Sequence, residues 1–268
     1  MRFDEQDPYI GLATLHWAAI SDTDPRWDQA FYKRIIQQNS GRALELGCGA
    51  GRLLLAYLAD GFEVHGVDRS GAMLAVCRDQ AAAAGLAPVL YEQPMQCLRL
   101  PYAYKTIYIP CGSFVCVMGR VAALETLRRC YAHLEQGGVL AFNVYLPDYD
   151  YAHPADRSTF PGPWQLKAEK QLQDGRRLRV FHRPTGLDQV EQIWMEERRY
   201  ELYNGDALVQ EEVHRGQGHW YFRNELLWML QLAGFSDVIV KGDFTDEDFN
   251  TTHTRTMVFL ASKRDGGV

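Results

Sequence analysis

No stretch of the 268 residues is long and apolar enough to cross a bilayer as a helix. The most apolar uncharged run, from Thr106 to Gly119, is broken by Pro110 and falls short of the about 20 residues a spanning helix needs. The start, Met1-Arg2-Phe3-Asp4-Glu5, lacks the basic head and apolar core of a secretion signal, so a cytoplasmic location is expected. Positive charge is also scarce. The formal net charge is -6, and basic clusters such as Arg176-Arg177-Leu178-Arg179 are short and sit among acids. A protein that grips nucleic acid needs a basic surface to displace counterions from phosphates. A small-molecule partner is therefore expected, with neither nucleic acid nor membrane. The six cysteines form no CxxC pair and have no His-rich companion spacing, which argues against a metal site or a disulfide framework. They read as reduced, mostly buried thiols.

What remains is the composition of an ordinary globular protein, 47% hydrophobic and 23% charged. Short apolar runs at Arg42–Leu46, Glu63–Val67, Pro88–Tyr91, Thr106–Ile109 and Val139–Tyr145 read as strands. Between them, Gly51–Asp60, Ser70–Ala84 and Arg120–Leu134 have helical spacing, the last ending at a glycine stop, Gly137-Gly138. This rhythm implies a parallel sheet with helices on both faces, because parallel strands need crossovers. After Pro147 the pattern changes. Residues 148–163 are rich in Asp, Tyr and Pro and read as a loop or lid. From Trp164 to Gly216, period-2 stretches are separated by turn signals at Asp174-Gly175, Pro184-Thr185-Gly186 and Asn204-Gly205-Asp206, which predicts a small antiparallel sheet. A helix over Arg223–Ala233 and strands at Val238–Lys241 and Thr256–Ala261 complete the chain.

The chemistry is carried by Glu45-Leu46-Gly47-Cys48-Gly49-Ala50-Gly51. A glycine-rich turn after the first strand lets backbone approach a ligand, and the helix that follows offers unbonded amides. A dinucleotide fold wants G-x-G-x-x-G, which from Gly47 would need glycine at position 52, where Arg52 stands. The second strand ends in Asp68, a carboxylate able to accept both hydroxyls of a ribose lying over the turn, and Ser70 is placed to cap the next helix.

The pattern E-x-G-x-G-x-G resembles the first motif of class I S-adenosylmethionine-dependent methyltransferases. Asp68-Arg69-Ser70-Gly71-Ala72-Met73-Leu74 is similar to the family's D-x-S-x-x-M-L, and Tyr91 to Leu98 to its third motif. There Pro94 replaces the acid that usually neighbours the adenine, leaving the amides of Met95 and Gln96 to contact it. Tyr108 to Phe114 resembles the fourth-strand motif, whose P-x-x-S-F ending lines the transferring methyl. Leu134 to Leu140 is similar to the turn before strand five.

The resemblance implies a Rossmann-like, doubly wound seven-stranded α/β sheet of order 3-2-1-4-5-7-6, last strand antiparallel, with a small antiparallel β insert. Residues 1–147 and 217–268 would then form the cofactor-binding domain, and 148–216 the loop and insert. S-adenosyl-L-methionine is the implied cofactor. Its expected contacts are Tyr9, Glu45, Gly47, Gly49, Gly51, Arg52, Asp68, Arg69, Met73, Met95, Gln96, Pro110 and Ser113. The expected reaction is methyl transfer to N or O of a small acceptor, with His153 or His219 as base and no metal. A homodimer through the insert is a further expectation. A cofactor-binding protein without catalysis and a nicotinamide-dependent oxidoreductase are the alternatives, Arg52 speaking against the second.

Overall fold

The computed structural model describes residues 7, 9–23, 28–145, 160–250 and 256–264. The chain divides into two compact units, Met1–Asp24 with Asp148–Gly218, and Pro25–Pro147 with His219–Val268.

The larger unit runs α2 (Gln29–Asn39), β1 (Ala43–Leu46), α3 (Leu54–Ala59), β2 (Val64–Asp68), α4 (Gly71–Ala83), β3 (Val89–Glu92), β4 (Tyr104–Ile109), α5 (Arg120–His133) and β5 (Leu134–Tyr145). It resumes with α6 (Arg223–Leu232), β10 (Asp237–Gly242) and β11 (Thr256–Ser262). Its sheet has the order β10-β11-β5-β4-β1-β2-β3. β1 to β5 pair in parallel, while β11 runs antiparallel between β5 and β10. This is the order the sequence resemblance implies. Every residue of β1 and β2 is buried, as expected of parallel strands covered on both faces. One apolar layer joins Leu46, Ile107 and Phe142 to Leu127 of α5 and Leu230 of α6. The other joins Leu54, Tyr57 and Leu74 to Phe31, Tyr32 and Ile36 of α2. Ser70 caps α4 as expected, its hydroxyl accepting from Met73 N at 3.2 Å.

The expected glycine stop after α5 is not used. The helix ends at His133, and Leu134 already opens β5. The ammonium of Lys263 explains this, donating to the carbonyls of Tyr131 at 3.0 Å and Leu134 at 2.8 Å and so satisfying the helix end. Gly137 and Gly138 instead exchange backbone bonds with Lys263.

The smaller unit holds α1 (Leu12–Thr23) and an antiparallel sheet of β6 (Gln165–Gln171), β7 (Arg177–Asp188), β8 (Ile193–Asn204) and β9 (Ala207–His219), of which the last residue, His219, counts with the larger unit. Leu12 and Ala13 of α1 pack on Leu178, Val180, Tyr200 and Leu202, so the helix covers one face of this sheet. Asn204-Gly205 makes the expected β8–β9 turn, with Gly205 at φ 59°. Pro184-Thr185-Gly186 does not reverse the chain. It is a bulge inside β7, opposite Glu196 and Met195. The reversal comes at 189–192, where Asp188 Oδ1 accepts from Val190 N and Glu191 N. No helix among the described residues is long and apolar enough to cross a membrane.

Candidate functional site

Sheet order reverses between β1 and β4, and a crevice at the carboxyl ends of such strands is where open α/β sheets take ligands. Four segments meet there. The glycine turn leaves β1 with Gly47 at φ 73°, Gly49 at 52° and Gly51 at 90°, conformations that favour glycine. A Cβ on Gly47 would stand 3.0 Å from Met95 Cε and from Cβ and Oγ of Ser113. The turn is therefore walled on one side by the segment after β3 and on the other by the segment after β4. Met73 lies beside Gly49, and Cys77 and Leu55 beside Gly51.

Asp68 ends β2 with its carboxylate fixed by two amides, Gly49 N to Oδ2 at 2.8 Å and Ser70 N to Oδ1 at 2.9 Å. A carboxylate has about four acceptor sites. An acceptor-only group held rigidly beside backbone with no side chain suits a ribose diol, so these residues fit the nucleoside part of S-adenosylmethionine. Pro94 opens a short 3₁₀ turn, Met95–Cys97, and the Gln93 amide closes it by two bonds to the Arg99 backbone. Gln96 is half-buried, and Arg69 is exposed.

Glu45 points off β1 into the buried layer, where Tyr108 donates to its Oε2 at 2.8 Å. Burial pushes the carboxyl up to about 8, against the pull of the Tyr108 hydrogen bond and the Arg52 charge. The folded chain thus keeps a proton on Glu45 that the unfolded chain releases above the ordinary value of 4.5. Stability from this group is complete below 4.5 and is lost as pH rises through about 8. Urea unfolding is expected to show wild type losing on the order of a few kcal/mol relative to Glu45→Gln between pH 5 and pH 8. Parallel profiles for the two proteins would contradict this.

Arg52 does not stand alone on the turn. Its two terminal nitrogens bind both oxygens of Asp28 at 2.7 and 2.6 Å, with Asp28 fully buried, and Nη2 also donates to Cys111 Sγ at 2.9 Å. Pro110 is buried, and its carbonyl accepts from both Ser113 N at 3.0 Å and Ser113 Oγ at 2.8 Å. Cys111 and Gly112 follow each other at φ 57° and 67°. Asn143 Oδ1 accepts from Gly112 N at 3.2 Å and from Tyr32 O–H at 3.1 Å. The ring of Tyr145 lies on Gly112, where a Cβ would be 2.6 Å from Tyr145 Cε2.

The expected site residues Glu45, Gly47, Gly49, Gly51, Arg52, Asp68, Met73, Met95 and Ser113 all fall on this cluster. Tyr9 belongs to the smaller unit, where its ring meets Trp17 at 6.0 Å. His219 is buried with its ring 4.8 Å from Tyr221, itself 5.3 Å from Phe114. All three rings belong to the larger unit. His153 lies outside the described residues. Asp28, Asn143 and Tyr32 were not singled out from the sequence. Of the six thiols, Cys48, Cys77 and Cys130 are buried while Cys97, Cys111 and Cys116 are exposed, so the expectation of mostly buried cysteines holds for half. Among the described residues no group of three His, Cys, Asp or Glu is arranged to hold a metal ion.

A family model described as a methyltransferase domain matches residues 43–138, which span β1 to the start of β5. A Geobacillus sp. (strain WCH70) protein provisionally named a methyltransferase is 26% identical over 254 residues, covering 89% of this chain and 92% of its own length. A Clostridium acetobutylicum ATCC 824 structure described as an S-adenosylmethionine-dependent methyltransferase superposes with a TM-score of 0.72. It is 15% identical and covers 94% of this chain and 98% of its own. The sugar N-methyltransferase KedS8 from Streptoalloteichus sp ATCC 53650 gives 0.71 at 16% identity, covering 99% of each chain.

Proposed function

We propose a function from one premise: the chain belongs to the class I S-adenosylmethionine-dependent methyltransferase family. It is an enzyme of that class, and the acceptor we infer is a nitrogen or oxygen atom of a small molecule. The observation that carries the cofactor reading is the rigid Asp68 carboxylate bonded to Gly49 N beside a turn where a Cβ on Gly47 would crowd Met95 and Ser113 at 3.0 Å. Gly47, Gly49 and Gly51 would lie along the ligand, and Asp68 would take its ribose. Arg69, Met73, Met95 and Gln96 would border the adenine. Glu45, Arg52, Pro110 and Ser113 would serve the methionine end. The bound cofactor supplies a methyl on a positively charged sulfur, already activated for displacement. What remains for the chain is to align the acceptor and exclude water, and to take a proton where the acceptor carries one. His219 or His153 is proposed for that proton.

A small-molecule acceptor is supported by the net negative charge, and by the fold shared with a neighbour described as a sugar N-methyltransferase. The insert, residues 148–216, is proposed as a homodimer interface. Leu208, Val209 and Val213 are exposed on its long edge strand β9.

Calorimetric titration with S-adenosylmethionine, its demethylated product and NAD tests the cofactor. Micromolar affinity for the first two is expected, about -7 to -8 kcal/mol, with none for NAD. Product formation across small amine and hydroxyl acceptors then tests the reaction, with His153→Gln and His219→Gln run beside wild type. Cofactor binding without turnover on any acceptor would count for a binding protein instead.

A further inference from the structure

Helix α2 reaches the turn after β4 by two separate routes. From Asp28, immediately before the helix, the carboxylate grips Arg52 with both oxygens, and Arg52 passes one N–H to Cys111 Sγ. Four residues on, and so on the same face of the helix, Tyr32 donates to Asn143 Oδ1. That oxygen also receives the N–H of Gly112. The two routes end on consecutive residues, and these are the two that adopt left-handed backbone, Cys111 without glycine's freedom to do so. A non-glycine residue held in this region persists only where its surroundings impose it. Here they do, from the thiol on one side and the neighbouring amide on the other. Water cannot readily replace Arg52 as the partner of Asp28, whose carboxylate is fully buried, while Arg52 is mostly covered.

The turn so held carries Ser113, whose Cβ and Oγ close the space beside Gly47. Across the sheet, Asp68 leaves β2 on one side of the glycine turn, and this turn leaves β4 on the other. A nucleoside anchored by Asp68 therefore extends its amino-acid end toward residues 110–113. We propose that Asp28 and Tyr32 are positioning residues that set the Pro110–Ser113 turn, and with it the affinity for the methionine end of the cofactor but not for the nucleoside. This rests on the cofactor reading above. Both residues act through others: Asp28 through Arg52, Tyr32 through Asn143.

Two measurements on the full chain test it. In the first, Asp28→Asn and Tyr32→Phe are titrated with S-adenosylmethionine and with adenosine. Asp28→Asn is expected to weaken S-adenosylmethionine about tenfold or more and Tyr32→Phe several-fold, adenosine changing less than about twofold. Equal losses for the two ligands, or no loss for S-adenosylmethionine, would overturn the proposal. Tyr32→Phe keeps the ring in its buried place, so the question stays decidable should Asp28→Asn fail to fold. The second uses no cofactor. Iodoacetamide labelling mapped by mass spectrometry should show Cys111 reacting several-fold faster in Asp28→Asn, with Cys97 and Cys116 unchanged. Unchanged Cys111 reactivity would show that the tether does not hold the turn. If wild type binds no S-adenosylmethionine while the labelling result stands, the cofactor reading fails and the coupling of α2 to the turn survives.

Discussion

Asp68→Ala is expected to weaken S-adenosylmethionine binding by roughly one to a few kcal/mol, about five- to a few hundredfold in Kd. The size follows from what the change leaves behind. In the native protein the carboxylate receives the Gly49 and Ser70 amides, and in the complex it would also receive the ribose hydroxyls. Truncation removes the acceptor for the ligand and leaves both amides facing a small apolar residue at a buried position. Loss of the Ser70 N–H bond also loosens the start of α4, so unfolding should move by about 1–3 kcal/mol as well. Asp68→Asn separates the two effects, since its side-chain oxygen can still accept from one amide while the charge is gone. Binding undiminished in Asp68→Ala would remove the residue on which the cofactor assignment chiefly rests.

Gly47→Val should go further and leave no measurable cofactor binding, a loss on the order of a hundredfold or more. Two causes combine. Valine is branched at the position where glycine adopts φ 73°, and its Cβ alone would press Met95 Cε and Ser113 at 3.0 Å. Displacing Met95 and Ser113 disturbs the walls a ligand would lie between, while strain costs roughly 1–3 kcal/mol of stability. Gly61→Ala is the matching control. Gly61 also has positive φ, 84°, but nothing lies within 4 Å of its Cβ position, so it should show strain without loss of binding. Calorimetry and urea unfolding on both variants distinguish blocked space from a weakened fold. Near-native affinity in Gly47→Val would place the ligand elsewhere.

The parts of the fold that were legible in the sequence are those whose signal is local. Each of β1 to β5 announces itself as a short apolar run, and Ser70 announces a cap three residues before the amide it takes. The turn at Asn204-Gly205 needs only two residues to specify it. What escaped depends on distant partners. Lys263 decides where α5 stops, and nothing near Gly137 records that. Pro184-Thr185-Gly186 has the composition of a turn but is stretched across a bulge by pairing with β8, while the real reversal is made by a single aspartate, Asp188. In the site, Gly47, Gly49, Gly51 and Asp68 follow from spacing. The role of Arg52 does not. Alone it reads as a departure from the dinucleotide spacing and one more cofactor contact, and only the fold brings it to Asp28, 24 positions away. Asn143 is harder still: an ordinary polar residue in an apolar strand, with the Tyr32 and Gly112 donors to its Oδ1 supplied by other elements. A buried asparagine between Phe142 and Val144 was the one available sign, since a polar group in a parallel core strand needs a partner. Helix α2 does carry a local signal, since Phe31, Tyr32, Ile35 and Ile36 repeat at helical spacing and are its buried residues.

The placement of β11 between β5 and β10 has a bearing on how the chain is made. Thr256 pairs with Tyr145, yet the whole of β6 to β9 is translated between them. At roughly 5–20 residues per second, the edge of β5 waits on the order of ten seconds for its neighbour. During that interval an apolar strand with unpaired amides stands open, which is when strands of separate chains join wrongly. The intervening residues can collapse meanwhile into a unit of their own, with α1 already synthesised and ready to cover the sheet. Nascent chains stopped near residue 220 should therefore need chaperone protection of β5, and those released after β11 should not.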